Sequence, residues 1–318
     1  MNDLLSATDV GAYLVRRGLF RDAAGLDVKE LTGGVSCAVF AVHGEGQRVV
    51  LKQALPRLRV AEEWLVPPER AATEAQALEL MTRLAPGSVP PLLDSDPNAC
   101  ALVIDEAPPS WRSWKADLLD GVADPAVGAR LGELVALLHA GTARVELGSA
   151  EWFEAGRVDP YLRTIQRRHP DLASAIGAYI ERLVGTQRCV VHGDYSPKNV
   201  LAGNGGVWVI DWEVAHRGDP AFDIAFMLNH LLLKTIHRPE ARPDYEACGE
   251  AFVNAYALPV DLPYVLGLVG CLMLARVDGK SPAEYLTEAE RERARASGMT
   301  FLTDPPASLT DTWGAILA

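Results

Sequence analysis

A chain of 318 residues, 49% of them hydrophobic, can bury one large core or two lobes. Thirty basic against 42 acidic residues leave a net charge of −12 with no dense Lys/Arg cluster, so nucleic acid is not an expected partner. Five scattered cysteines read as reduced thiols of a cytoplasmic protein, and without a basic-then-apolar leader or a run of membrane length, neither secretion nor a membrane partner is expected.

Residues 7–18 place Val10, Tyr13 and Leu14 at helical spacing, with Leu19 following and Thr8 as candidate cap. The segment 28–36 then leads through Gly33, Gly34 and Ser36 into a strand-like run, Ala38 to Val42. Gly44 and Gly46 turn the chain into a second strand that ends Val49-Val50-Leu51-Lys52. Paired glycines let backbone N–H groups approach phosphates closely. Lys52 supplies a cation where a nucleotide kinase carries its phosphate-binding lysine. After Pro67-Pro68, residues 69–83 are rich in helix formers and hold Glu69, Glu74 and Glu79 as potential partners for that lysine. Ala101 to Ile104 form an apolar strand running into Asp105, Glu106, Ala107 and two prolines. A lobe boundary is expected there, giving an N-terminal lobe over 1–106 and a C-terminal lobe over 107–318.

The second part reads as mainly helical, with segments at 125–140, 171–184, 245–257 and 262–275 and an apolar helix following Asp223. In its midst stands His192-Gly193-Asp194-Tyr195-Ser196-Pro197-Lys198-Asn199. An apolar run precedes it, and an apolar hairpin with the turn Gly203-Asn204-Gly205-Gly206 follows, ending at Asp211. The spacing suits phosphoryl transfer from a metal-bound nucleotide, which depends on positioning and on stabilising the negative charge of the moving group. Asp194 is the candidate catalytic residue, orienting an acceptor hydroxyl and taking its proton. Asn199 and Asp211 are the candidate Mg2+ ligands, since that ion prefers hard oxygen donors. His192 is expected to brace the loop.

HGDYSPKNVL followed by VIDWE resembles the aminoglycoside phosphotransferase and choline kinase superfamily. LSATDVGAYLVRRGL, WRSWKADLLDG, FDIAFMLNHLLLK and RVDGKSPAEYL resemble its methylthioribose kinase branch. The resemblance implies an α+β, bilobal, protein-kinase-like fold, with a small antiparallel N-lobe and a larger, mainly helical C-lobe. It implies an ATP- and Mg2+-dependent kinase acting on a hydroxyl of a small, sugar-like molecule. It also implies Glu74 as the partner of Lys52, Asp105, Glu106 and Ala107 as the hinge that reads adenine, and Asp223 as a brace for the catalytic loop. Trp212, Glu213 and Arg276 are the candidates for contact with the acceptor. Two alternatives stay open: an antibiotic O-phosphotransferase, and a nucleotide-binding pseudokinase. Association as a homodimer also stays open.

Overall fold

The computed structural model describes residues 4–32, 34–59 and 65–316. The chain divides into two compact units, Met1–Pro109 with Asp211–Glu213, and Ser110–Ile210 with Val214–Ala318. The division falls three residues beyond the expected boundary at 106. It also returns Asp211–Glu213 to the first unit, which a split at one point along the chain cannot express.

The first unit is built on a five-stranded antiparallel sheet. Its elements are α1 (Ala7–Arg16), β1 (Asp27–Glu30), β2 (Cys37–Gly44), β3 (Gln47–Ala54), α2 (Arg70–Leu84), β4 (Leu92–Asp96) and β5 (Ala101–Asp105). The strand order is β1-β2-β3-β5-β4. Ser6, not Thr8, occupies the cap of α1, and its backbone N–H donates to Asp9 Oδ2 at 3.1 Å. Val10 and Leu14 of α1 pack with Phe40, Val42, Leu51 and Val103 of the sheet. Each such side chain contributes about 1.5–3 kcal/mol on burial. The β2–β3 turn places Glu45 and Gly46 at φ 50° and 77°, the left-handed pair that suits a two-residue hairpin. Lys52 lies opposite Val39 and Leu102, on a strand paired along both edges.

The second unit opens with β6 (Arg112–Ser113), α3 (Trp114–Leu119), α4 (Pro125–Gly141) and α5 (Ala150–Phe153). A π-helical stretch, Glu154–Arg163, follows, then α6 (Thr164–Arg168) and α7 (Ala173–Gly185). Next come β7 (Cys189–Val191), β8 (Val200–Gly203), β9 (Gly206–Val209) and β10 (His216–Gly218). Helices α8 (Ala221–His237), α9 (Arg242–Tyr256), α10 (Leu262–Asp278), α11 (Glu288–Thr303) and α12 (Leu309–Ala315) complete it. Asp124 caps α4 by accepting the Ala126 N–H at 2.9 Å. Gly128 and Gly132 let α4 lie directly on the backbone of α9: a Cβ at these positions would sit 2.4 Å from the Cys248 carbonyl and 2.2 Å from that of Phe252. Helices α8 and α10 are buried on nearly every face and form the centre of the unit. The β8–β9 hairpin turns at Asn204 and Gly205, φ 48° and 76°, as the Asn-Gly pair requires.

All five cysteines are buried and free. Among the described residues, no helix is long and apolar enough to cross a membrane.

Candidate active site

In the first unit, the Lys52 ammonium sits 2.6 Å from Glu74 Oε1 and 3.0 Å from Asp211 Oδ1. Both Lys52 and Glu74 are buried, whereas Glu69 and Glu79 face solvent. Burial alone would lower the Lys52 pKa, but the Asp211 and Glu74 carboxylates outweigh it and hold the ammonium well above its usual range. Burial pushes the Glu74 carboxyl up, against the attraction of Lys52. Asp211 has φ 68°, a left-handed backbone that few non-glycine residues adopt, and such strain collects where a side chain must be aimed.

Trp212 is buried. The Glu213 carboxylate, expected to meet the acceptor, instead receives the Arg70 Nε at 2.9 Å and lies 3.6 Å from the Cys37 thiol. Arg70 is itself fully buried. Its remaining N–H groups donate to the carbonyls of Val66, Pro67, Ser36 and Leu55. The Ser36 carbonyl therefore serves this guanidinium, and Gly34 lies exposed beside it. Gly33 lies outside the described residues.

At the end of β5, the Asp105 N–H donates to the Pro91 carbonyl and the Glu106 N–H to Arg48. The Glu106 side chain pairs with His43 at 2.7 Å and Arg48 at 2.8 Å. Of the three expected hinge residues, the one whose backbone N–H has no partner among the described residues is Ala107.

In the second unit, the loop between β7 and β8 carries Asp194 and Asn199, both buried. Asp223, near the start of α8, accepts the N–H of His192 at 2.7 Å and of Gly193 at 2.9 Å. His139 of α4 contacts the same carboxylate at 3.2 Å, and burial of the carboxyl is outweighed by these partners, so its pKa lies below the usual range. His192 Nε2 donates to the Ile210 carbonyl, while its Nδ1 accepts the Asp194 N–H. Gly193 adopts φ 76°, and a Cβ there would meet the Val214 carbonyl at 2.7 Å, so the loop has no room for a side chain. Asn199 Nδ2 donates to the Asp194 carbonyl at 2.9 Å, which fixes the amide with its oxygen as the remaining acceptor.

Two cations converge on Asp194. Arg157 Nη2 lies 2.7 Å, and Lys198 Nζ 2.9 Å, from Oδ2. Lys198 belongs to the motif, four residues beyond Asp194. Arg157 comes from the π-helical stretch, which also contains Pro160, and no local pattern in GRVDP marks it. Arg276 donates through Nη1 to the carbonyl and hydroxyl of Ser281.

Residues 27–258 match the model of the phosphotransferase enzyme family (APH). The chain belongs to this family. It is similar to the methylthioribose kinase of Erwinia tasmaniensis, 27% identical over 255 residues, a match that covers 70% of this chain and 64% of that protein. It is also similar to a Bacillus cereus methylthioribose kinase, 24% identical over 349 residues, covering 91% and 88%. The chain thus spans less than two thirds of the Erwinia enzyme's length. A choline/ethanolamine kinase family protein from Mesorhizobium loti aligns over 98% of this chain and 99% of its own, with a TM-score of 0.55 at 17% identity. That likeness establishes the α+β, protein-kinase-like fold. The resemblance carried by HGDYSPKNVL and the branch-like stretches is thereby borne out.

Proposed function

We propose that this phosphotransferase-family chain is an ATP- and Mg2+-dependent kinase that phosphorylates a hydroxyl of a small, sugar-like molecule. The observation that carries the reading is the buried Asp194–Asn199 loop, anchored by Asp223 so that a carboxylate and an amide oxygen have fixed directions. A buried acid approached by two cations, Arg157 and Lys198, on a loop braced by Asp223 supports that reading.

The chemistry of each residue suits magnesium: Asn199 and Asp211 each carry a hard oxygen, and Asp211 has a strained backbone. We assign both to the ion, which would neutralise phosphate charge. Lys52, held by Glu74, binds the nucleotide phosphates, and the Ala107 N–H meets the adenine edge. Asp194 orients the acceptor hydroxyl and takes its proton as the hydroxyl oxygen bonds to the γ-phosphorus and the bond to ADP breaks. Arg157 and Lys198 follow the charge, shifting from Asp194 towards the phosphoryl oxygens as the carboxylate becomes protonated.

The test is an acceptor screen with ATP and Mg2+, covering methylthioribose, other sugars, nucleosides, amino alcohols and aminoglycosides, scored by phosphorylated product. Product from a sugar-like acceptor is expected. Product from aminoglycosides alone would overturn the acceptor class, and no product with any acceptor together with no Mg2+-dependent ATP binding would overturn the kinase reading.

A further inference from the structure

The α8 face of the second unit holds charge that the folded chain does not neutralise. Phe226, His230 and Lys234 recur every four residues along this face. Lys234 is fully buried, its ammonium 3.4 Å from the His230 carbonyl and 5.5 Å from the centre of the Tyr285 ring. No carboxylate of the described residues lies within ion-pair distance of it. Burial, together with the charges of Arg276 and Lys115, lowers its pKa to about 7. Burial and Lys234 likewise keep His230 well below the usual histidine range. Arg276 Nε and the Tyr285 hydroxyl are buried with no hydrogen-bond partner among the described residues.

This cationic face is continuous with the catalytic loop. The Tyr161 phenol is buried, 6.0 Å between ring centres from Phe226, and feels the charges of Arg276, Arg157, Asp194 and Lys198 together. Tyr161 thus feels Arg276, Arg157 and Lys198 with the Asp194 carboxylate, His230 feels Lys234, Arg276, Lys198 and Lys115, and the Glu290 carboxylate acts on Tyr285 in opposition to Arg276. An isolated buried ammonium is costly, as is an orphaned buried N–H, and both are relieved by a ligand that supplies negative charge.

We propose that the acceptor is an anion: a hydroxylated carboxylate or phosphate ester whose charged group is bound by Lys234 and Arg276, with Tyr285 donating, while its hydroxyl faces Asp194. This rests on the kinase reading and narrows it. Cationic acceptors such as amino alcohols and aminoglycosides are repelled by the same groups.

The test compares acceptors matched in skeleton but not in charge: gluconate, glucose and glucosamine for the carboxylate source, and ribose 5-phosphate against ribose for the phosphate source. The expected result is a kcat/KM at least about tenfold higher for an anion than for its neutral partner. Lys234→Met is expected to erase that preference while leaving the KM for ATP unchanged and raising Tm, because an unneutralised buried charge is removed. Arg276→Gln should also weaken the preference. If no acceptor in the set turns over, calorimetry decides. Gluconate or ribose 5-phosphate should bind wild type with proton uptake near pH 7, seen as a heat that depends on the buffer, and should not bind Lys234→Met. A neutral or cationic acceptor preferred in every set, a preference unchanged in Lys234→Met, or no binding of either anion overturns the proposal. Turnover that requires Asp194 but ignores acceptor charge sinks this inference alone. Absence of Mg2+-dependent ATP binding sinks the kinase reading itself.

Discussion

Asp223 holds the His192–Asn199 loop by its backbone: one carboxylate oxygen takes the His192 N–H at 2.7 Å and the other takes the Gly193 N–H at 2.9 Å. No other side chain of the same size could accept both with full charge. Asp223→Ala would leave two buried N–H groups and His139 without an acceptor. We expect it to cost about 3 kcal/mol or more in urea denaturation. Asp223→Asn keeps one acceptor and should recover part of that loss. Equal stability of the alanine variant and wild type would remove Asp223 from this role.

Lys52 stands between two carboxylates, so its loss has two separable effects. Lys52→Met leaves Glu74 and Asp211 facing one another with no cation between them, at a cost of about 3–5 kcal/mol for the broken buried pair. The double variant Lys52→Met/Glu74→Gln should regain stability but not turnover. Denaturation and ATP-turnover assays on the cycle separate the two. Turnover restored along with stability would show that the lysine only supports the fold.

Arg70 presents a different kind of dependence. Its guanidinium serves Glu213 and four backbone carbonyls, a set that no ammonium can span. Arg70→Lys is therefore expected to destabilise the protein by about 3 kcal/mol, read as a lower denaturation midpoint. A loss below about 0.5 kcal/mol would mean the carbonyls find water instead.

What the sequence made legible was whatever its neighbours in the chain define. The loop between β7 and β8, the Asn-Gly hairpin after it and the long apolar helices are local patterns, and each of these elements forms where it is expected. The cap at Ser6 was missed in favour of Thr8 because both residues can cap and only the entry of the chain decides. Arg70 was invisible because its partners come from the ends of β2 and β3 and from the approach to α2. Arg157 was hidden for the same reason, since only the fold carries a π-helical turn to Asp194. Lys234 carries no local mark either, since its burial, with Tyr285 5.5 Å away, comes from the fold.

His216 contributes one part of the pH response of stability. It stacks on Phe153 at 4.1 Å between ring centres, and burial lowers its pKa from 6.5 to about 4. Between those values the unfolded chain binds the proton and the folded one does not, so stability falls as pH drops from 6.5 to 4. The full shift corresponds to about 3 kcal/mol. His216→Gln should flatten this part of the stability–pH curve measured by urea denaturation. An unchanged slope would assign the acid sensitivity to other groups.

The central claim is phosphoryl transfer directed by Asp194. The most direct measurement follows γ-labelled ATP into an acceptor, with wild type and Asp194→Asn compared at equal nucleotide occupancy. The account predicts Mg2+-dependent labelling by wild type and a turnover lower by about 10²–10⁴ in the variant, with ATP affinity nearly unchanged. Equal labelling by the two proteins would contradict it.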